Sequence, residues 1–113
     1  MPYIHIKTSK KLSDGQKDAL SAGLGQKISL LPGKSEAYLM VDISDGHTMY
    51  LSGKKGDLAF AGIEIFGSAK PADQKRLTEA VFNALQEHAG LEAGQVYVTF
   101  TEREHWGMHG SLV

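Results

Sequence analysis

The sequence predicts an α+β fold: two β-α-β units forming one four-stranded mixed sheet, with two helices on one face. Three observations predict it. Residues 2–7 and 95–101 alternate apolar and polar, the period of a strand with one buried face. Two longer segments carry apolar residues at helical spacing. The order strand, helix, strand then occurs twice along the 113 residues.

Taken in order, Pro2, Ile4 and Ile6 point one way along the first strand, and Tyr3, His5 and Lys7 the other. Ser13-Asp14-Gly15-Gln16 reads as a helix start, with Ser13 as N-cap and Gln16 as its reciprocal partner. Leu20, Leu24, Ile28 and Leu31 continue as one stripe until Pro32-Gly33 stops the helix. Residues 37–43 read as a mostly apolar strand, and Asp45-Gly46 as a turn. Met49-Tyr50-Leu51 suggests a short strand before a polar, glycine-rich loop from Ser52 to Asp57. The second unit begins with a strand over 58–65. Pro71 then sits near a helix start, where its missing N–H costs nothing. Leu77, Val81 and Leu85 form this helix's stripe, and Gly90 closes it. In the last strand Val96, Val98 and Phe100 share one face, and Tyr97, Thr99 and Thr101 the other. Residues 102–113 read as a polar tail containing Trp106.

Two helices cover one face of such a sheet. The strands over 37–43 and 58–65 read as apolar on both faces, which leaves a patch that monomers rarely expose. Burial of that face by further copies of the chain is the expected solution, so the sequence predicts an oligomer; the alternative is a monomeric ferredoxin-like domain with a partly greasy open face.

The length suits one domain, spanning residues 1–113. A net charge of −1 gives no broad attraction to nucleic acid or to an anionic membrane. No apolar run approaches the ~20 residues of a membrane span. The N-terminus lacks the apolar core of a signal peptide, so the default expectation is the cytosol. Absence of cysteine excludes disulfides, thiol nucleophiles and cysteine-ligated metals.

The chemistry points first to Pro2. Removal of Met1 leaves a secondary amine at the start of a strand. An α-amino group titrates near ~8, and burial or a neighbouring cation lowers that value. Such an amine can act as a general base near neutral pH. Lys34 has two readings. It complements the negative end of the preceding helix, or it anchors a substrate carboxylate. Tyr97 and Thr99 are either hydrogen-bonding groups of a pocket or a half-exposed strand face. His105 and His109 have i,i+4 spacing without a helical scaffold or a third ligand, so no metal site is expected. Gly53-Lys54-Lys55-Gly56 lacks the spacing of a phosphate loop, and no Ser-His-Asp array is present.

Several segments together resemble the macrophage migration inhibitory factor family of the tautomerase superfamily. They are Pro2 opening the first strand, Pro32-Gly33-Lys34 leading into Ala37-Tyr38-Leu39-Met40-Val41, the strand end from Ile63 to Gly67, and Gln95-Val96-Tyr97-Val98. The resemblance spans nearly the whole chain. It implies a homotrimer whose sheets surround a central channel, with active sites between subunits. It also implies cofactor-free keto–enol tautomerisation of an α-keto acid such as phenylpyruvate, with Pro2 as the catalytic base. Lys34 and the backbone N–H of Phe66 would bind the substrate carboxylate. Tyr97 and Thr99 would come from the neighbouring subunit, and Trp106 would belong to the aromatic rim. Export without a leader occurs in the family.

The chain departs from the mammalian members at some of these positions. Thr99 replaces an asparagine, Phe66 an isoleucine, and Met108 a tryptophan, while Trp106 lies before Gly107. The rim is therefore rearranged, and the preferred substrate is open. The mammalian cysteine pair is absent, so thiol redox activity does not carry over. Two alternatives stand beside the tautomerase. Relatives that hydrate halogenated acrylates or decarboxylate small keto acids place arginines near the amine, whereas this chain has only Arg76 and Arg103. The other is a non-enzymatic, trimeric, cytokine-like signalling or binding protein with an unknown receptor.

Overall fold

A computed structural model describes all 113 residues, Met1–Val113. The main sheet has the order β2-β1-β5-β6, built from β1 (Pro2–Thr8), β2 (Met40–Ser44), β5 (Ala59–Phe66) and β6 (Val96–Arg103). β1 pairs parallel with β2, and β5 parallel with β6; the inner strands β1 and β5 run antiparallel. Helices α1 (Asp14–Lys27) and α2 (Pro71–Ala89) connect the parallel pairs. The expected fold class is therefore the observed one.

The core lies between the sheet and the helices. Ile4 and Ile6 of β1 and Ile63 and Ile65 of β5 are fully buried, as are Leu20 and Leu24 of α1 and Leu77, Val81 and Leu85 of α2. The Ser13 hydroxyl accepts from the Gln16 N–H (3.1 Å), and the Gln16 side-chain oxygen accepts from the Ser13 N–H (2.9 Å). This reciprocal cap satisfies two otherwise orphaned donors. At the end of α2, Gly90 takes a left-handed conformation (φ 67°). Its N–H donates to Gln86 and that of buried Leu91 to Leu85, which closes the helix.

Three expectations need correction. The first helix does not run to Pro32 as an α-helix. Ile28–Leu30 tighten into a 3-10 turn and Leu31 is extended, although both Ile28 and Leu31 remain buried. Pro32 accounts for this, because the residue before a proline is pushed out of the helical region. The second strand is not residues 37–43. Glu36–Tyr38 form a 3-10 turn, and pairing begins with Tyr3 opposite Met40. One step further out Leu39 would face Pro2, which has no N–H to offer a ladder.

The third correction concerns the helix-free face, which is not broadly apolar. With Ala37–Leu39 outside β2, this face carries Tyr3, His5 and Lys7 from β1, Asp42 and Ser44 from β2, and Glu64 from β5. Met40, Phe60, Phe66 and Tyr97 supply apolar islands. Tyr3 donates to Asp42 (2.9 Å), and the Tyr3, His5 and Phe60 rings stack in series. The helix-free face therefore offers no broad apolar patch to drive assembly.

The short strand expected at Met49-Tyr50-Leu51 is present as one arm of a hairpin, and the tail folds into a second hairpin. β3 (Tyr50–Leu51) pairs with β4 (Lys54–Lys55), and β7 (Gly107–Met108) pairs with β8 (Ser111–Leu112). Their loops are Ser52-Gly53 and His109-Gly110, all four residues having positive φ. Two-residue loops of this kind match the natural twist of paired strands. No helix is long and apolar enough to cross a membrane.

Candidate active site

The start of β1 and the end of β5 meet at one end of the sheet, where Pro2 lies opposite Ile65. Pro2 is buried, and its nitrogen is joined to Met1 in the full chain. The N–H of Phe66 donates to the carbonyl of Met1 (3.1 Å). The Lys34 ammonium donates to the carbonyl of Phe66 (2.9 Å). Lys34 is brought there by the turn after α1, in which Gly33 takes φ 81° and the Lys34 N–H bonds back to Leu31 (3.1 Å). Its charge thus serves the end of β5, and the last turn of α1 carries Lys27 instead.

The amine of Met1 reports on this environment. Burial pushes its pKa down from the ordinary value, and the charge of Lys34 and a hydrogen bond with Lys34 push it the same way. A partly dry site beside a fixed cation disfavours an ammonium. Removal of Met1 would leave the Pro2 nitrogen as the amine at this end of the sheet and would free the Phe66 N–H.

The other predicted residues divide into two groups. Trp106 is half-buried and follows the end of β6 by three residues; Arg103, the last residue of β6, lies opposite Phe66. It therefore belongs to the same end of the sheet as Pro2. Tyr97 and Thr99 do not. They lie opposite Phe60 and Gly62, and Phe60 is six residues from Phe66 along β5, about 20 Å. Tyr97 is 62% exposed and borders a mostly apolar cavity of ≈ 190 Å³, shared with Met49, Tyr50, Leu51 and Phe60 among others. One chain thus holds Pro2, Lys34, Phe66 and Trp106 at one end of the sheet, and Tyr97 and Thr99 away from them.

Of the two arginines, Arg76 lies on α2, and Arg103 lies opposite Phe66 at this end of the sheet, where its Nε donates to Glu64 (2.9 Å). Neighbouring Glu102 accepts from the Ala69 N–H (2.8 Å). Neither contact has a local sequence signal, because both depend on the register of β5 against β6. A concavity of ≈ 540 Å³ lies between α1 and α2 and contains none of the predicted site residues.

The family model for macrophage migration inhibitory factor (MIF) matches residues 1–113. The chain belongs to this family, within the tautomerase superfamily. Solved structures agree. Leishmania major MIF2 is 26% identical, with a TM-score of 0.93, covering 100% of this chain and 97% of that one. Macrophage migration inhibitory factor from Toxoplasma gondii is 23% identical, with a TM-score of 0.90, covering 98% and 99%. A protein crystallised after inactivation by 2-oxo-3-pentynoate is 18% identical, with a TM-score of 0.86, covering 96% and 93%. No curated protein matches the chain. Membership brings a tautomerase-type or cytokine-like role, and the family's fold is typically a homotrimer.

Proposed function

We propose that the chain freed of Met1 is a cofactor-free keto–enol tautomerase acting on phenylpyruvate-like α-keto acids, with the Pro2 amine as general base. One observation carries this reading: the Lys34 ammonium and the Phe66 N–H meet beside the Met1–Pro2 peptide, where loss of Met1 would put the proline amine. The Met1 carbonyl accepts from the Phe66 N–H, so a substrate carboxylate oxygen has a ready donor there once Met1 is gone. Lys34 supplies the countercharge.

The amine takes a proton from the carbon next to the substrate carbonyl. The electron pair of that C–H bond forms the enol double bond, and charge collects on the former carbonyl oxygen. A donor at that oxygen lowers the barrier. Tyr97 of a neighbouring subunit takes this role, because Tyr97 of the same chain is too distant. The oxygen gains a proton, and the reverse sequence returns the keto form. One protein of the same fold is inactivated by 2-oxo-3-pentynoate, itself an α-keto acid.

The test is phenylpyruvate tautomerisation by untagged protein whose loss of Met1 is verified by mass. An N-terminally extended form serves as control. Turnover in the mature form that disappears on extension is the expected result. Equal rates would remove Pro2 as the base. Pro2→Gly separates the enzymatic role from a cytokine-like one, since it should abolish turnover while leaving surface binding nearly intact.

A further inference from the structure

The proposed site depends on where the backbone of Phe66 is held. In a strand, the N–H and C=O of one residue leave along the same edge, so both polar groups of Phe66 face the β1 side, toward Met1 and Lys34. A shift of Phe66 would move the substrate donor and the Lys34 tether together. Removal of Met1 deletes the bond on that side. On the other side the last ladder bond runs from the Gly67 N–H to the Arg103 carbonyl (2.9 Å). Gly67 then turns the chain with φ 85°, and the next tether is the Ala69 N–H donating to Glu102 (2.8 Å). Gln74 completes the turn by donating its side-chain amide to the Ala69 carbonyl (3.0 Å).

Glu102 lies opposite Ile65, a residue buried beneath the helices, so it projects on the helix-bearing side of the sheet. From there its carboxylate holds the connection just ahead of α2, where negative charge also suits the helix N-terminus. Its neighbour Arg103 projects to the opposite face and clamps β5 through Glu64. Consecutive residues of β6 thus fasten β5 and the turn that follows it from the two faces: Arg103 holds Glu64, and Glu102 holds the Ala69 N–H, whose residue's carbonyl is held by Gln74.

We propose that Glu102 is a positioning residue for the active site, holding the turn that aims the Phe66 N–H and the Lys34 ammonium at the substrate. This rests on the tautomerase reading above. Glu102 does not itself bind substrate, because an anion there would repel the carboxylate that Lys34 attracts.

The test compares mature wild-type protein with Glu102→Ala and Glu102→Gln, using phenylpyruvate kinetics, thermal melting and hydrogen exchange at the Gly67 amide. Glu102→Ala should raise KM about fivefold, the effect of one lost hydrogen bond, with little change in kcat or in the pH profile set by Pro2. Exchange at Gly67 should accelerate. Glu102→Gln keeps an oxygen that can accept from Ala69 and should restore both readings. Unchanged KM and exchange in Glu102→Ala would overturn the proposal. Equal impairment of both variants would also overturn it, assigning Glu102 to stability or charge alone. If wild-type protein fails to turn over phenylpyruvate, the tautomerase reading falls. The exchange comparison still decides whether Glu102 holds the turn: acceleration in the alanine variant alone supports it, and no difference sinks it.

Discussion

At the scale of single residues, the proposed chemistry reduces to one amine and one cation. Burial and Lys34 lower the pKa of the Met1 amine, and the Pro2 amine of the mature chain would meet the same two influences. Only the neutral amine can accept a proton, so kcat/KM should fall as pH drops through its pKa. Lys34→Ala removes a cation that disfavours the ammonium. The amine's pKa then rises, and the acidic limb of the profile should move to higher pH. KM for the keto acid should rise as well, whereas an ester analogue, lacking the carboxylate, should lose little. A limb that stays in place would show that Lys34 does not set the base. Pro2 could be singled out from the sequence because its amine follows from covalent structure alone: only a proline after Met1 yields a secondary amine. The role of Lys34 could not be settled there. Whether it serves a helix end or a strand end depends on where the turn after Gly33 delivers its ammonium.

At the scale of elements, Asp45 shows how the loops are tied to the frame. Its carboxylate accepts from the Leu12 N–H (2.8 Å) and meets Lys17 of α1 (3.1 Å), linking the end of β2 to the entry of the first helix. The Leu12 N–H, followed by the Lys17 side chain, holds its pKa below the ordinary value. A depressed carboxylate pKa means that the unfolded chain binds the proton first on acidification. The stabilisation is therefore fully present above the unfolded pKa of about 4 and is lost as pH falls through the lower folded value. Urea unfolding of Asp45→Asn should show a weaker fall in stability across that window than wild type; parallel curves would remove Asp45 as a contributor. The caps and stripes of both helices were legible in the sequence because they are local: Ser13 with Gln16, Pro71, Gly90 and the leucines at helical spacing. The start of β2 was not, since its pairing begins only beyond Pro2, which has no donor to offer. The hairpin loops Ser52-Gly53 and His109-Gly110 had only their glycines as signals, and flanking strands of two residues are too short to show alternation.

At the scale of the whole molecule, the proposed site requires assembly, because its residues lie apart in one chain. Pro2 and Tyr97 occupy opposite ends of the sheet, so no rearrangement of side chains can bring them together in one chain. The polar helix-free face, with its Tyr3–Asp42 and Arg103–Glu64 contacts, suits a surface that retains water around a channel better than a dry interface. Apolar surface collects instead near Tyr97, beside Met49, Tyr50 and Leu51. A neighbour seated against that edge would complete a site with its own Pro2, Lys34 and Phe66. Light scattering should then give about three times the chain mass, as a closed ring of three requires. A sharper test mixes two inactive variants. Pro2→Gly supplies an intact Tyr97, and Tyr97→Phe supplies an intact Pro2. Unfolded together in equal amounts and refolded, they should regain about a quarter of wild-type turnover, because each shared site draws its two halves independently. Each variant refolded alone should stay near its own low rate. Failure of the mixture to exceed the mean of the two, with mixed trimers shown to form, would mean that Pro2 and Tyr97 do not serve one site across the interface.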